Sequence, residues 1–323
     1  MHSDRVLIKG GIKVSKFGIG TATFGGLYSK VDFKDALAVV EEAVSLGINY
    51  FDTAPHYGLG LSELRLGEIF STLSLKECVV STKVGRLIIG AGTDSKSNSP
   101  IDEIFDFSPD GIRRSIEKSL DRLGFQKLDM VLIHDPDFYA DQAIEEAFPT
   151  LIELKNEGLI GSIGLGMNQN AIPIRFVRET DIDFILIAGR FTLLDQSAGD
   201  ELLPLALEKG VSIMAAGVFN SGVLADPYNH AYFNYKPASP GIVRKALLLK
   251  NFFENRGHTL QSAALQFPLT HPAVNSVIVG CRNVFELRKN VEDFNKKIEV
   301  EIWEEFLEYT TSKYFVNLGN LDA

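Results

Sequence analysis

Short apolar segments alternate along this chain with longer segments in which apolar residues recur at helical spacing. The short segments are rich in β-branched residues and almost continuously apolar, which is typical of strands covered on both faces. They predict eight strands, which begin at Phe17, Asn49, Val79, Leu128, Ile160, Asp183, Val211 and Val274. The longer segments predict helices at residues 33–46, 62–70, 109–123, 141–156, 172–179, 201–209 and 284–294.

Eight successive strand-and-helix units favour an α/β fold, a closed (β/α)8 TIM barrel, over an open, doubly wound sheet. We expect residues 1–323 to form a single domain of this kind, since such barrels routinely use about 250 residues or more. In that fold the active site lies at the C-terminal ends of the strands and on the loops that follow them. Candidate chemistry is therefore expected at those strand ends.

Two stretches between the predicted elements are rich in loop-forming residues. Residues 86–108 contain many Gly, Ser and Asp, and residues 226–240 contain many Tyr, Asn and Pro. Both follow predicted strands, so we expect loops over the C-terminal face that close on substrate or cofactor; plain surface insertions are the alternative. Beyond about Glu299, an amphipathic helix that holds Trp303 is expected to pack against the barrel wall.

The composition excludes several classes of protein. Apolar residues make up 45% and charged residues 23% of the chain, which is typical of a globular protein. The formal net charge of −10 disfavours nucleic-acid binding, which depends on Lys and Arg. No stretch resembles a signal peptide or a membrane span, and Cys78 and Cys281 fit no metal or disulfide pattern. We expect a cytoplasmic monomer or weak dimer without metal, nucleic-acid or membrane partners.

Four polar residues stand at or just after the ends of three consecutive predicted strands. Asp52 ends the second strand, Tyr57 follows five residues later, Lys83 ends the third strand and His134 ends the fourth. Each residue alone has an ordinary structural explanation, such as a turn cap or a buried histidine. In a barrel, however, all four side chains share one pocket, and we interpret them as a catalytic set.

This set suits proton transfer by a tyrosine. A free tyrosine has a pKa of about 10, too high for ready exchange at neutral pH. The ammonium of Lys83 favours the phenolate, so we expect it to lower the pKa of Tyr57, while Asp52 keeps Lys83 charged and in place. His134 then orients the substrate oxygen by a hydrogen bond, and Tyr57 gives up or accepts the proton.

The segments that hold these residues, FDTAPHYG, STKVG and LIHDPD, resemble the Asp, Tyr, Lys and His signatures of the aldo-keto reductase superfamily in the same order. The resemblance covers nearly the whole chain and implies a (β/α)8 barrel with NAD or NADP as cofactor. Further segments, among them IAGRFTLLDQ and GVFNSGVLADP, resemble the aldose 1-dehydrogenase branch. That resemblance implies oxidation of an aldose of the L-fucose, L-galactose or D-arabinose type at C1 to a lactone, with Tyr57 as the base.

Other activities stay open at this point. Pyridoxal 4-dehydrogenases are near this branch, and NADPH-dependent aldehyde reductases belong to the same superfamily. A barrel that senses a cofactor without turnover, as the superfamily's potassium-channel β subunits suggest, is a different class of function. An unrelated hydrolase that uses carboxylates such as Asp52 and Asp135 would act without a nicotinamide.

The same resemblance implies a cofactor site. Residues 217–222 resemble the loop whose amides and serine contact the pyrophosphate, and NSVIVGCRNVFELRKN resembles the segment that holds the adenosine ribose at a helix N-terminus. Glu286 stands where many NADP-dependent members have an arginine, so it favours NAD, while Arg282 keeps NADP possible. The residues assigned to the cofactor are Gly20, Thr21, Asp52, Asn168, Gly217, Phe219, Ser221, Gly280, Arg282, Glu286 and Asn290.

The expected substrate pocket is polar, which suits a polyol better than an apolar aldehyde or steroid. The residues assigned to the substrate are Tyr57, His134, Asp135, Arg190 and Asn220. Three positions depart from the superfamily's pattern around the nicotinamide. Residues 166–168 replace a Ser-Asn pair, Ala188 replaces a glutamine and Ala216 replaces the stacking aromatic residue.

Overall fold

A closed barrel of eight parallel strands forms the centre of the protein. The structure, a computed structural model, describes residues 1–27, 29–90, 102–312 and 315. Its strands are β1 (Arg5–Leu7), β2 (Lys13–Ser15), β3 (Phe17–Gly20), β4 (Tyr50–Asp52), β5 (Val79–Val84), β6 (Arg86–Ile89), β7 (Asp102–Phe105), β8 (Leu128–His134), β9 (Ile160–Met167), β10 (Phe184–Ala188), β11 (Ser212–Ala216), β12 (Tyr232–Phe233), β13 (Lys236–Pro237) and β14 (Val274–Gly280). The barrel runs β3-β4-β5-β8-β9-β10-β11-β14 and closes by pairing of β14 with β3. The predicted (β/α)8 barrel is confirmed.

Helices connect the barrel strands and surround them. They are α1 (Phe33–Ser45), α2 (Leu61–Leu73), α3 (Pro109–Leu123), α4 (Ala140–Gln142), α5 (Phe148–Asn156), α6 (Ala171–Glu179), α7 (Leu202–Lys209), α8 (Pro240–Glu254), α9 (Leu260–Gln266), α10 (Val284–Asn295) and α11 (Val300–Thr311). Residues 141–156, predicted as one helix, form α4 and α5 with a π-helical turn at Ala143–Ala147 between them. Helices α8 and α9 are additional to those predicted.

Local capping explains several helix boundaries. The Ser108 side chain accepts a hydrogen bond from the Gly111 N–H at the start of α3, and Pro109 occupies the first helical position. Helix α8 begins in the same way, with Ser239 as the cap and Pro240 next. Helix α3 ends at Gly124, whose φ of 69° is left-handed and favours glycine.

Alternation along the barrel strands decides which side chains enter the site. Tyr50, Val79, Met130 and Leu132 point into the barrel and belong to a buried inner cluster. Their neighbours Phe51, Val80 and Val131 belong to the larger core between the barrel and the helices. Continuing the inward series toward the C-terminal strand ends gives Asp52, Ser81, Lys83 and His134. Strand alternation therefore directs these polar side chains into the barrel mouth.

An N-terminal hairpin covers the opposite end of the barrel. Strands β1 and β2 pair antiparallel, with Val6 opposite Val14. Ile8 and Val14 are 2% and 0% exposed and pack in the inner cluster. The sequence analysis did not predict this hairpin, which separates the inner core from solvent at the end remote from the site.

The two stretches predicted as loops contain short hairpins instead. In the first, β6 and β7 pair antiparallel, with Arg86 opposite Phe105 and Leu87 opposite Ile104. Residues 91–101 of that stretch lie outside the described residues. In the second, β12 and β13 pair Tyr232 with Pro237. Each hairpin follows a barrel strand along the chain. Closure of the two stretches over the C-terminal face stays a prediction.

The predicted C-terminal helix is present as α11. Its Phe306 is fully buried, and Trp303 contacts Phe253 and Phe267 with ring centroids 5.7 and 6.0 Å apart. The helix thus packs on α8 and on the 3₁₀ turn at Phe267–Thr270, in the outer layer of the molecule. In the described ranges, no helix combines the length and apolar character needed to cross a membrane.

Candidate active site

A buried ion pair between Lys83 and Asp52 lies at the centre of the barrel mouth. The Lys83 side chain is 2% exposed and its Nζ donates to Asp52 Oδ2 at 2.7 Å. The same ammonium donates to the Thr53 carbonyl at 2.8 Å and to the Tyr57 hydroxyl oxygen at 3.1 Å. These three contacts use all three of its protons. Lys83 is therefore fixed between the carboxylate and the phenol, as the sequence predicts.

The second oxygen of Asp52 is held from inside the barrel. Ser81 Oγ donates to Asp52 Oδ1 at 2.7 Å and lies 3.0 Å from the hydroxyl of Tyr50. All three side chains are buried. The sequence analysis missed Ser81 and Tyr50, although both precede predicted catalytic residues by two positions and therefore share their inward direction.

The loop that holds Tyr57 is anchored to the start of α2. The Tyr57 N–H donates to the Ala54 carbonyl at 3.1 Å, and the Tyr57 carbonyl accepts from the Ser62 N–H at 3.1 Å. Gly25 lies so close that a Cβ there would be 2.5 Å from the Tyr57 carbonyl carbon. This close approach requires glycine and places the Tyr57 backbone against the 3₁₀ turn at Thr21–Gly25, which follows β3.

Thr21, which the sequence assigns to the cofactor, lies behind the ion pair. It is fully buried, and its hydroxyl donates to the Asp52 carbonyl at 2.9 Å and lies 2.7 Å from Ser62 Oγ. Ser62 Oγ is also 2.9 Å from Thr53 Oγ1. The Thr21 side chain therefore supports Asp52 and the Tyr57 loop rather than facing the mouth.

The pKa of Tyr57 shifts in the opposite direction from the sequence-based expectation. Burial raises the pKa above its ordinary value of about 10, and this outweighs the lowering by the Lys83 ammonium. Asp52 adds a further raising contribution. The expected lowering is therefore wrong for the side chain in this structure, because the sequence shows the cation but not the loss of solvent.

His134 ends β8 beside Tyr57, with the two rings perpendicular and their centroids 6.2 Å apart. The residue is 6% exposed, and its Nδ1 is buried without a hydrogen-bond partner in the described part of the chain. Burial, then Lys83, Arg86 and His56, hold its pKa well below the usual value, so the ring is neutral. A buried ring nitrogen without a partner is rare and is a candidate position for a hydrogen bond to a ligand atom.

A second group of charges borders His134 and is formed by Arg86, Glu103, Asp135 and His56, which we call the rim cluster. Arg86 donates to Asp135 Oδ2 at 3.2 Å and to a carboxylate oxygen of Glu103. His56 Nδ1 lies 2.8 Å from Glu103 Oε2, and Asp135 Oδ2 lies 3.5 Å from His134 Nε2. Of these, the sequence analysis assigned only Asp135 to the site, because pairing across the β6–β7 hairpin is not visible in the sequence.

Small residues leave the other side of the mouth open. The inward positions at the ends of β9, β10 and β11 are Gly166, Ala188 and Ala216. A Cβ built on Gly166 would lie 3.5 Å from Lys83 Cε, so this glycine leaves space beside the lysine. Both alanines are partly exposed. The departures from the superfamily's pattern therefore widen the mouth rather than fill it.

Arg190 joins three loops at this open side. Its Nε donates to the Asn168 carbonyl at 2.6 Å, and its two amino groups donate to Asp195 Oδ2 at 2.6 Å and to Asn234 Oδ1 at 2.8 Å. The side chain is 20% exposed. Arg190 therefore ties the ends of β9 and β10 to the β12–β13 hairpin, and the assigned Asn168 contributes its carbonyl to that link.

Asn220 and Ser221, assigned from the sequence to substrate and cofactor, are held within the loop after β11. Asn220 is 3% exposed; its Oδ1 accepts from Thr192 Oγ1 at 2.6 Å and its Nδ2 donates to the Gly189 carbonyl at 3.4 Å. Ser221 Oγ accepts from the Tyr235 N–H at 3.0 Å. The Asn220 side chain is thus committed to the protein, which argues against its direct contact with substrate. Phe219 is half-buried and packs on the core.

Three glycines assigned to the dinucleotide, Gly20, Gly217 and Gly280, leave backbone accessible at the barrel mouth. Gly20 and Gly280 face each other in register at the ends of β3 and β14, and a Cβ on Gly20 would approach the Gly280 nitrogen at 3.7 Å. Because neither residue has a side chain, the backbone is uncovered in the gap between the ends of β3 and β14. Gly217, at the end of β11, is exposed with a left-handed φ of 63°. Backbone N–H groups accessible in this way suit phosphate oxygens.

A cleft of about 360 Å³ lies beyond the Gly20–Gly280 gap, at the start of α10. It is lined by Ser29, Lys30, Val31, Asp35, Arg282, Asn283 and Glu286. Arg282 Nε donates to Glu286 Oε1 at 2.8 Å, and the Arg282 N–H donates to Oε2 at 2.9 Å. The cleft brings together the cationic side chains of Lys30 and Arg282, the Ser29 hydroxyl and the N-terminus of α10. Such groups suit the phosphate and ribose end of a dinucleotide. Asn290 is turned elsewhere, with Nδ2 3.5 Å from Cys281 Sγ.

The part of the chain that the structure describes contains no candidate metal site. No group of three or more His, Cys, Asp or Glu side chains is placed to hold an ion. Cys78 and Cys281 are both free thiols.

Comparisons with known proteins agree with this geometry. The model of the aldo/keto reductase family matches residues 16–308. The chain is 39% identical to a Pseudomonas D-threo-aldose 1-dehydrogenase, over 92% of this chain and 94% of that protein. It is 38% identical to the pyridoxal 4-dehydrogenase of Microbacterium luteolum, over 93% and 95%. The glycerol dehydrogenase structure from Gluconobacter oxydans is similar in fold, with a TM-score of 0.79 at 23% identity over 96% of each chain.

Proposed function

Because this chain belongs to the aldo/keto reductase family and is a nicotinamide-dependent oxidoreductase, we propose that it oxidises an aldose at C1 to the corresponding lactone. The observation that carries the proposal is the convergence of the Tyr57 hydroxyl, the Lys83 ammonium 3.1 Å from it and the His134 ring, whose Nδ1 has no partner among the described residues. The rim cluster makes the adjoining surface polar, which favours a polyhydroxylated substrate over an apolar one.

Each of the four residues has a defined part in this proposal. The Tyr57 phenolate oxygen accepts the proton of the C1 hydroxyl as the C1–H bond breaks. A ring N–H of His134 donates to the same substrate oxygen and fixes its position. Lys83 stabilises the phenolate, and Asp52, held by Ser81, keeps Lys83 in place. The chemistry that a bound nicotinamide supplies is acceptance of the hydride from C1.

The direct test is absorbance at the wavelength of reduced nicotinamide, with NAD and NADP in parallel and L-fucose, L-galactose, D-arabinose and pyridoxal as substrates. A sugar-dependent rise is expected. A rise in absorbance with pyridoxal alone would indicate that the substrate is pyridoxal, as in the name of the Microbacterium relative, and not a sugar. No rise in absorbance with any of the four compounds, together with oxidation of NADPH when simple aldehydes are added, would contradict the proposal and indicate a reductase.

We also propose NAD as the preferred cofactor. In the cleft at α10, Glu286 holds both the side chain and the backbone N–H of Arg282. The guanidinium is therefore engaged by a carboxylate, which would itself repel the 2′-phosphate of NADP and can accept from a ribose hydroxyl.

Replacing Glu286 tests this preference. We predict that Glu286→Arg, and more weakly Glu286→Gln, raises the ratio of kcat/KM for NADP to that for NAD, by about tenfold for one removed charge contact. The matched control is Glu304→Gln, an exposed carboxylate on α11. An unchanged ratio in both Glu286 variants would show that the adenosine end binds elsewhere.

The pH dependence of oxidation follows from the raised pKa of Tyr57. Oxidation requires the phenolate, so we predict that kcat for oxidation rises as pH increases from about 7 to about 10. The kcat for the reverse reduction is expected to stay nearly constant over this range, because Tyr57 remains protonated below its raised pKa. His134 is neutral across this range because its pKa is well below the ordinary value. A single ascending limb near pH 6.5 that disappears in His134→Asn would instead place the base on histidine.

A further inference from the structure

Carboxylates outnumber cationic side chains in the rim cluster and its immediate surroundings. One guanidinium, Arg86, contacts two carboxylates, Glu103 and Asp135. His134, on the inner side of the cluster, is neutral because its pKa is well below the usual value. Burial raises the pKa of the Asp135 carboxyl from its ordinary value, Arg86 lowers it, and the negative charge of Asp137 raises it further. The Lys83 ammonium is already matched by Asp52. Among the described residues, the three carboxylates Glu103, Asp135 and Asp137 face one guanidinium, Arg86, and one imidazole, His56. The sum of these charges is negative even when His56 carries a proton.

Both amino groups of Arg86 are engaged by carboxylates. Its two amino groups reach Asp135 and Glu103, and its Nε is buried without a partner among the described residues. The side chain is 13% exposed, against 20% for Glu103 and 24% for Asp135. The carboxylates are thus more accessible than the cation that joins them, and the surface that a substrate meets is acidic.

The cluster is also held rigidly toward the site. Asp135 follows His134 directly and has a left-handed φ of 44°, which is uncommon for a residue other than glycine. Its N–H donates to the Gly166 carbonyl at 3.1 Å. Glu103 is fixed by Arg86 and by His56 on the Tyr57 loop, 2.8 Å away. The unpartnered Nδ1 of the buried His134 marks the ligand position that this cluster borders.

We propose that Glu103 and Asp135, joined by Arg86, act as a charge filter that admits uncharged polyhydroxy substrates and rejects analogues bearing a carboxylate or phosphate. This proposal rests on the function proposed above and narrows its substrate class. A like charge placed against a partly buried carboxylate is strongly unfavourable, whereas hydroxyl groups can donate to it. The two carboxylates thus affect which substrates are accepted, and neither takes part in proton or hydride transfer.

The test compares matched neutral and anionic compounds: L-galactose with L-galacturonate, and pyridoxal with pyridoxal 5′-phosphate. We expect the native protein to prefer the neutral member of a pair by tenfold or more in kcat/KM, about 1.4 kcal/mol or more. Glu103→Gln and Asp135→Asn are expected to reduce that preference about tenfold each, chiefly by raising kcat/KM for the anion. Glu145→Gln, an exposed carboxylate elsewhere, is the control.

Ionic strength gives a second measurement that needs no variant. Between about 0.01 M and about 1 M salt the screening length falls from about 30 Å to about 3 Å. Because screening weakens the repulsion of the anion, we expect the ratio of kcat/KM for the neutral compound to that for the anionic compound to decrease in the native protein. A preference that neither salt nor both variants change would overturn the filter while leaving the proposed function intact. Turnover of none of the four compounds would overturn both.

Discussion

The Tyr57→Phe variant is expected to lose turnover by about 100- to 10,000-fold, the range that a positioned acid or base contributes. The substitution removes one hydroxyl oxygen, which is the atom that the Lys83 ammonium contacts at 3.1 Å. The ring itself stays, and so do its perpendicular contact with His134 and the position of Lys83 Nζ 4.7 Å from the ring centroid. The loss therefore reports on proton transfer rather than on packing.

Two measurements separate this effect from a general disturbance of the site. Cofactor affinity, followed by fluorescence titration, is expected to change by no more than about twofold, since little contact area is lost. Tyr309→Phe, on the outer helix α11, is the matched control and should keep native turnover. Near-native turnover by Tyr57→Phe would remove the tyrosine from the proposed mechanism.

The second large effect concerns the buried ion pair. Lys83→Met leaves the Asp52 carboxylate buried with Ser81 as its remaining side-chain partner in the described structure. Leaving one member of a buried pair unpaired costs about 3–5 kcal/mol of folding free energy. We therefore expect a large fall in the midpoint of urea unfolding, together with loss of turnover because the phenolate loses its stabilising cation.

The double variant Asp52→Asn/Lys83→Met distinguishes these two losses. It removes both charges, so most of the free energy of unfolding should return, while turnover should stay at the level of the single variant. Unfolding midpoints and kcat measured on the same preparations provide the comparison. A double variant less stable than Lys83→Met would show that the two charges do not act as a pair in the folded protein.

The barrel and the inner half of the site could be predicted from the sequence for a physical reason. Strands buried on both faces are continuously apolar, so the polar residues that end them, Asp52, Lys83 and His134, stand out. Alternation then places them in one mouth. The same logic extends to Ser81, whose inward position could have been read two residues before Lys83.

The remaining features depend on contacts that the sequence does not show. Arg86 and Glu103 meet only because β6 and β7 pair across an intervening stretch. The pKa of Tyr57 was predicted with the wrong sign because burial outweighs the nearby ammonium. The strands of the N-terminal hairpin have three residues each, too short for a periodicity to appear. The sequence analysis did not predict helix α8, although Ser239 as the N-cap and Pro240 at the first helical position are typical of a helix start.

The closure of the barrel by β14 has a consequence for synthesis. Strand β14 pairs with β11 on one side and with β3 on the other. In a nascent chain that has not yet extended past Gly280, the edges of β3 and β11 that pair with β14 therefore lack their partner strand. Such edges are templates for association between chains. We therefore expect association between partly synthesised chains to be most favourable before β14 has emerged from the ribosome.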